Sequence, residues 1–152
     1  QGHSIGIISE AGCPGVADPG AEIVRVAHQK ALRVIPLVVP SSLLLAMMSS
    51  GLNGQNFAFN GYLPIDKQVR RKTLKILERK VQEGQSQLFI ETPYRNQQLL
   101  SDLIETLQPD TLLCIATDLT LPTESIRTLP IRQWKHTSVD LQKRPTLFII
   151  GR

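Results

Sequence analysis

Residues 5–20, Ile-Gly-Ile-Ile-Ser-Glu-Ala-Gly-Cys-Pro-Gly-Val-Ala-Asp-Pro-Gly, restrict the chain to a narrow set of folds. Ile5, Ile7 and Ile8 make a short β-branched run, which Gly12, Pro14, Gly15, Pro19 and Gly20 then break. From Gly20 to Lys30 the pattern is amphipathic, with Ile23, Val24, Ala27 and Ala31 on one face and Glu22, Arg25, Gln29 and Lys30 on the other. Strand, glycine-rich turn and helix is the layout that sets a loop at the carboxyl end of a parallel sheet, where open α/β folds bind ligands. Glycines there let backbone approach a ligand closely. A purely structural strand-to-helix turn is the other reading of the same residues.

A second apolar run, Val34-Ile35-Pro36-Leu37-Val38-Val39, predicts a parallel βαβ unit, with Pro36 near an edge or bulge. Pro40-Ser41-Ser42 ends it and opens a helix that is apolar all round, Leu43 to Met48, and therefore expected to be buried. Ser41 or Ser42 is a natural N-cap, and the free N–H groups there can hold an anion in the crevice that the 12–20 loop faces. Helix capping alone also accounts for the two serines.

Phe57-Ala58-Phe59 and Gly61-Tyr62-Leu63-Pro64 read as a short strand and turn linking two domains. Asp66 then caps a helix to about Glu83, whose outward positions carry Lys67, Arg70, Arg71, Lys72, Lys75, Arg79 and Lys80. The charge of +4 lies wholly after Ile65, since Arg25, Lys30 and Arg33 balance Glu10, Asp18 and Glu22 before it. The basic helix is the nucleic-acid candidate of the chain, with Arg70 and Arg71 as substrate contacts, although a solvated helix face explains a small excess equally well. A strand over Gln87–Glu91 leads to Thr92-Pro93, a helix-start signal, and then to the buried positions Leu99, Leu100, Leu103, Ile104 and Leu107. Glu91, Tyr94 and Arg95 cluster at that junction, either to bind substrate or as a Glu91–Arg95 pair that fixes the turn. Leu112–Ala116 is a buried strand, Ser125–Ile131 an extended edge, Gln133–Lys143 irregular around Trp134, and Pro145–Ile150 a closing strand. Without a continuing βαβ rhythm, this second module is expected to have a mixed sheet.

A chain of 152 residues with 41% hydrophobic residues can bury a real core in one domain or two small ones. Cys13 and Cys114 exclude a disulfide scaffold and have no metal-ligand spacing, so no metal site is expected and a reducing, cytoplasmic setting is the default. His3, His28 and His136 have no partner at metal-site spacing. No apolar run reaches the ~20 residues that span a bilayer, so no membrane partner is expected.

Six landmarks carry a family resemblance: Ser9 to Gly20, Val39 to Leu43, Ser50 to Leu52, Phe59 to Pro64, Glu91 to Arg95, and Asp118-Leu119-Thr120 before Glu124. In this order they resemble the tetrapyrrole methylase superfamily and, within it, the bacterial small-subunit ribosomal RNA cytidine 2′-O-methyltransferase branch. The resemblance implies an α/β methyltransferase of two domains that binds S-adenosylmethionine in the cleft between them, usually as a homodimer. Residues 1–60 would be the later, βαβ portion of the first, cofactor-binding domain, and residues 61–152 the second. Gly12, Cys13, Val16, Ala17, Asp18, Ser41 and Ser42 would meet the cofactor from the first, and Ala116, Leu119, Pro145 and Thr146 from the second. The family's first strand and cofactor loop are expected before Ile5. Where the ribosomal RNA branch usually has Arg-Glu-Leu-Thr-Lys, this chain has Thr117, Asp118, Leu119, Thr120 and Leu121, so two bases are missing.

The expected reaction is methyl transfer to a ribose hydroxyl of ribosomal RNA, with Glu91 the preferred general base among Glu10, Asp18, Glu91, Asp118 and Glu124. Tyr94, Arg95, Arg70 and Arg71 are the expected substrate contacts. The alternatives are a small tetrapyrrole substrate with the same fold and cofactor, or a non-catalytic dimerisation or RNA-docking fragment.

Overall fold

A computed structural model describes residues 2–9 and 12–152, and the contacts within it divide the chain into two compact units, 1–42 and 43–152. The expected division at 60/61 falls instead inside a strand of the second unit.

The second unit is an α/β structure built on one mixed sheet. Its elements are helix α2 (Ser42–Ser50, which begins at the unit boundary), strand β1 (Phe57–Tyr62), α3 (Lys67–Gln82), β2 (Ser86–Ile90), α4 (Asn96–Thr106), β3 (Leu112–Thr117), β4 (Ser125–Pro130), α5 (Ile131–Trp134) and β5 (Thr146–Gly151). The strand order is β1-β2-β5-β3-β4, with β1 parallel to β2 and every other pair antiparallel. The closing strand thus sits in the middle of the sheet. Alternation divides its side chains between two cores. Phe89, Leu113, Ile115, Phe148 and Ile150 pack with Leu74, Leu77, Val81, Leu99, Leu103 and Trp134 on one side. Leu88, Cys114, Ala116, Leu147 and Ile149 pack with Ala46 and Met47 of α2 on the other.

Side-chain hydrogen bonds fix the helices against this sheet. Asp66 Oδ1 accepts from the Val69 N–H at 2.9 Å and caps α3 as its sequence position predicts. Glu78, buried on α3, accepts from the Gln108 N–H at 2.7 Å and the Thr111 hydroxyl at 2.6 Å, tying α3 to the α4–β3 turn. Trp134 Nε1 donates to the Leu113 carbonyl at 2.9 Å, so the segment expected to be irregular contains a short helix anchored to β3.

Other expectations need correction. Phe57 to Tyr62 is an edge strand paired with β2, so it is part of the sheet and not a linker. Thr92-Pro93 opens a turn in which the Arg95 N–H reaches the Thr92 carbonyl at 2.9 Å, and α4 starts only at Asn96. Helix α2 buries Ala46, Met47 and Ser50 but leaves Leu44 and Met48 exposed, because only one of its faces meets the sheet.

In the first unit, α1 (Ala21–Gln29) forms as expected but buries none of its residues. The two flanking runs are not strands: residues 5–8 and 34–39 have no regular structure, and Ile8 and Leu37 are 93% and 79% exposed. A strand is a paired object, and without a ladder partner an extended segment solvates its backbone with water.

Candidate active site

Strands β1, β2 and β3 all end at one edge of the sheet of the second unit, because β5 runs antiparallel to both β2 and β3. The register aligns Tyr62 with Ile90, Ile90 with Leu147, Leu147 with Ala116, and Thr117 with Thr146. Three segments far apart in sequence therefore share one rim: 91–95, 116–119 and 145–146.

Glu91 follows β2 with its side chain 1% exposed. Its Oε1 accepts from the Thr92 N–H at 2.7 Å and from Arg95 Nη2 at 2.9 Å. The expected Glu91–Arg95 pair is formed, and its hydrogen bond raises the Arg95 pKa further above the usual guanidinium value. Glu91 Oε2 is buried with no hydrogen-bond partner, as are Arg95 Nε and Asn96 Oδ1 in the same turn. A buried carboxylate oxygen left without a donor is costly, so Glu91 holds an unspent acceptor at the rim. Tyr94 is exposed beside it.

Asp118 follows β3 in the same manner. Its Oδ2 accepts from Arg144 Nε and from the Thr123 hydroxyl, both at 2.8 Å, and these hydrogen bonds hold its carboxyl below the ordinary aspartate value. Its N–H donates to the Pro145 carbonyl at 2.9 Å. The loop turns tightly, with Asp118 at φ 51° and Thr120 at φ 69°. A left-handed threonine is an uncommon, strained conformation, which here is held by Glu124 Oε2 accepting from the Thr120 N–H at 2.6 Å.

Arg144 joins the two loops. Beyond Asp118, it donates from Nη2 to the Thr123 carbonyl at 2.7 Å and from Nη1 to the Asp140 carbonyl at 3.0 Å. Its own carbonyl accepts from Asn96 Nδ2 at 2.7 Å, and the Lys143 N–H reaches the Pro93 carbonyl at 3.2 Å. The 91–96 turn and the 118–124 loop are thereby stitched to one short segment. Sequence reasoning missed Arg144: it stands next to Lys143 in a polar stretch, and no local pattern separates the two.

Of the expected cofactor residues in this unit, Ala116 and Thr146 are buried, Leu119 is half-buried and Pro145 is exposed. Thr117 and Thr146 share a hydrogen bond between their hydroxyls at 3.3 Å. The rim brings these residues together, but only Leu119 and Pro145 offer open side-chain surface. Cys114 is buried in the sheet, and burial pushes its thiol pKa up. A cleft of about 110 Å³ lined by Ile115, Arg127, Trp134 and Val139 contains none of the expected site residues.

Arg70, an expected substrate contact, has its guanidinium engaged inside the protein. It is buried, with Nε 2.8 Å from Asp102 Oδ2, Nη2 also on Asp102, and Nη1 donating to the Pro64 and Ile65 carbonyls at 3.2 and 3.0 Å. Arg71 pairs with Glu105, and Lys67 lies 3.6 Å from Asp102 and 3.5 Å from Glu105. The acids that hold these bases stand on α4, which the helical pattern of α3 alone does not reveal.

Within the first unit, the 12–20 loop folds on itself: the Val16 N–H donates to the Cys13 carbonyl at 3.1 Å and the Gly15 N–H to the Pro19 carbonyl at 3.2 Å. Cys13 Sγ lies 3.7 Å from the Pro40 carbonyl, which brings this loop beside the residues that precede Ser41 and Ser42. Gly20, at φ 136°, has Ile7 Cγ2 and the Gly15 nitrogen 3.4 Å from where a Cβ would stand, so the turn into α1 requires glycine. Val16, Ala17, Asp18 and Ser42 are exposed, while Gly12, Cys13 and Ser41 are half-buried. Glu10, one of the candidate bases, lies outside the described residues. Among the described residues no group of three His, Cys, Asp or Glu is placed to hold a metal ion, and no helix is long and apolar enough to cross a membrane.

No protein-family model matches the chain. It is similar to proteins named ribosomal RNA small subunit methyltransferase I: 31% identical to that of Escherichia coli O157:H7 over 131 residues, 86% of this chain and 45% of the relative. The protein of that name from Synechocystis is 34% identical over 119 residues, 78% of this chain and 42% of the relative. The one from Pasteurella multocida is 29% identical over 153 residues, 99% of this chain and 53% of the relative. The chain thus spans about half the length of the curated relatives it matches. In fold it resembles the methyltransferase CobJ, with a TM-score of 0.62 at 18% identity over 93% of this chain and 62% of that one. It also resembles the Thermus thermophilus uroporphyrin-III C-methyltransferase complexed with S-adenosylhomocysteine, at TM-score 0.52 and 19% identity over 93% of this chain and 63% of that one.

Proposed function

We propose that this chain is part of an S-adenosylmethionine-dependent methyltransferase acting on ribosomal RNA; the relatives it matches are named ribosomal RNA small subunit methyltransferase I. One observation carries the reading: the sheet edge that collects the ends of β1, β2 and β3 also holds a buried glutamate whose second oxygen lacks a partner. Residues 1–42 are assigned to a first, cofactor-binding domain and residues 43–152 to a second. Leu119, Pro145 and the backbone around Ala116 and Thr146 are the proposed contacts of the second unit with the adenosyl group. Gly12, Cys13, Val16, Ala17, Asp18, Ser41 and Ser42 are those of the first.

The cofactor supplies an electrophilic methyl group on a positively charged sulfur. The residues of this chain do the remainder. Glu91 is the residue that would take the proton of the ribose hydroxyl that receives the methyl group; its Oε2 is buried, so this role requires the 91–96 turn to open to substrate. Arg95 and the Thr92 N–H hold Oε1, so the carboxylate does not rotate and its free oxygen stays directed. Tyr94 is the proposed stacking or hydrogen-bonding contact for the nucleotide. A cytoplasmic homodimer is the proposed state, supported by the exposed Leu44 and Met48 on α2, and sedimentation equilibrium tests the dimer.

The test is calorimetric titration with S-adenosylhomocysteine together with transfer of labelled methyl to small-subunit ribosomal RNA. Glu91→Gln is expected to leave binding unchanged and to lower transfer by about 10²-fold or more. Absence of S-adenosylhomocysteine binding both by this chain and by the longer protein of which it is proposed to be part sinks the cofactor assignment, and full activity of Glu91→Gln removes the base.

A further inference from the structure

Helix α3 presents seven bases, and the tertiary structure sorts them into two sets. Lys67, Arg70 and Arg71 are paired with Asp102 and Glu105 of α4. Lys72, Lys75, Arg79 and Lys80 are exposed, and none has an ion-pair partner among the described residues. At 100° per residue these four fall within one arc of the helix, opposite the buried Leu74, Leu77 and Val81. Gln68 and the exposed Val69 and Ile76 share the arc, and its only acid is Glu83 at the helix end. From Lys72 to Lys80 the arc is about 12 Å long at the helical rise per residue.

We propose that this stripe docks the phosphate backbone of the RNA substrate. Four unpaired cations along a straight helix match a polyanion of regular spacing better than a single anionic group. An isolated ligand would favour a concave, convergent site. The stripe begins one turn beyond the start of α3, which follows the β1 end of the rim, and runs away from it. It therefore grips backbone at a distance from the nucleotide at Glu91. With no aromatic residue on the arc, it reads charge and not base identity. The inference rests on the RNA reading of the substrate and adds the surface that holds it.

The test compares two double reversals of equal charge, Lys72→Glu with Arg79→Glu, and Lys135→Glu with Arg152→Glu, in binding to small-subunit ribosomal RNA across a salt series. Each phosphate contact contributes about 0.7–0.9 to the slope of log affinity against log salt. The α3 pair is expected to reduce the slope by about 1.5 and weaken binding at least tenfold, with the control pair near wild type. A Lys72→Gln, Arg79→Gln variant, which adds no acid, is expected to give the same slope change. Equal losses in the two reversals, or an unchanged slope in the α3 variants, overturn the proposal in favour of a general charge effect or another surface. Equal weakening of heparin binding with no effect on RNA also overturns it. S-adenosylhomocysteine binding is measured alongside: bound cofactor with an unaffected RNA slope removes the stripe alone, and stripe-dependent RNA binding without cofactor removes the methyltransferase reading alone.

Discussion

Val34-Ile35-Pro36-Leu37-Val38-Val39 in the first unit and Leu147-Phe148-Ile149-Ile150 in the second are similar runs of apolar side chains with opposite fates. The second run is β5, hydrogen-bonded to β2 and β3 and buried on both faces. The first has no regular structure, is unpaired and is exposed along its whole length. The difference is not hydrophobicity but company: a strand interior to a sheet has ladder partners on both sides and a helix layer over each face, and burial then follows. An apolar run without those partners would bury its backbone N–H and C=O groups unpaired, a cost that offsets what its side chains gain by leaving water.

Removing a buried charge tests the well-packed side most severely. Asp102 is fully buried against Arg70, so Asp102→Ala leaves a guanidinium inside the α3–α4 contact without its counter-charge. The expected loss is about 3–5 kcal/mol of unfolding free energy, read from the urea midpoint. A loss under 1 kcal/mol means that water reaches Arg70 and that this contact is looser than described. The next test sets the two runs side by side. Ile149→Ala is expected to cost about 2–5 kcal/mol, and Val38→Ala no more than about 0.5. Comparable costs would break the comparison, since Val38 would then be packed.

The smallest effect concerns pH. Arg144 and Thr123 depress the Asp118 pKa, so the stability this carboxylate contributes is complete above its unfolded value of about 3.9 and is lost as pH falls through the lower folded value. The stability difference between wild type and Asp118→Asn is expected to be constant above about pH 5 and to shrink below about pH 4. A difference that persists unchanged to low pH assigns the role to the hydroxyl and backbone contacts of the loop and not to its charge.

Much of the second unit was legible because its signals are local. Asp66 caps α3, Leu99, Leu100 and Leu103 form the buried stripe of α4 with Leu107 at its C-cap, and Leu112 to Ala116 lies within β3. The site was legible in part. Glu91 and Arg95 are four residues apart, and their pairing was foreseen as one of two readings. The roles of Arg70 and Arg144 were not foreseen, because their partners stand 32 and 26 residues away. Local helix pattern marks a base as exposed or buried but does not say which acid from another element meets it.

Sequence by itself determined where most helices begin and end, which faces are apolar, and that loops rich in glycine, proline and acids follow the apolar runs. These properties depend on neighbours within one or two turns. Only the tertiary structure decided that the last strand enters the middle of the sheet and that Arg144 ties the 91–96 turn to the 118–124 loop. It also decided which of the bases on α3 remain free and that the runs of the first unit stay unpaired. Those outcomes depend on pairing and packing between distant segments, for which an apolar pattern states the need and not the partner.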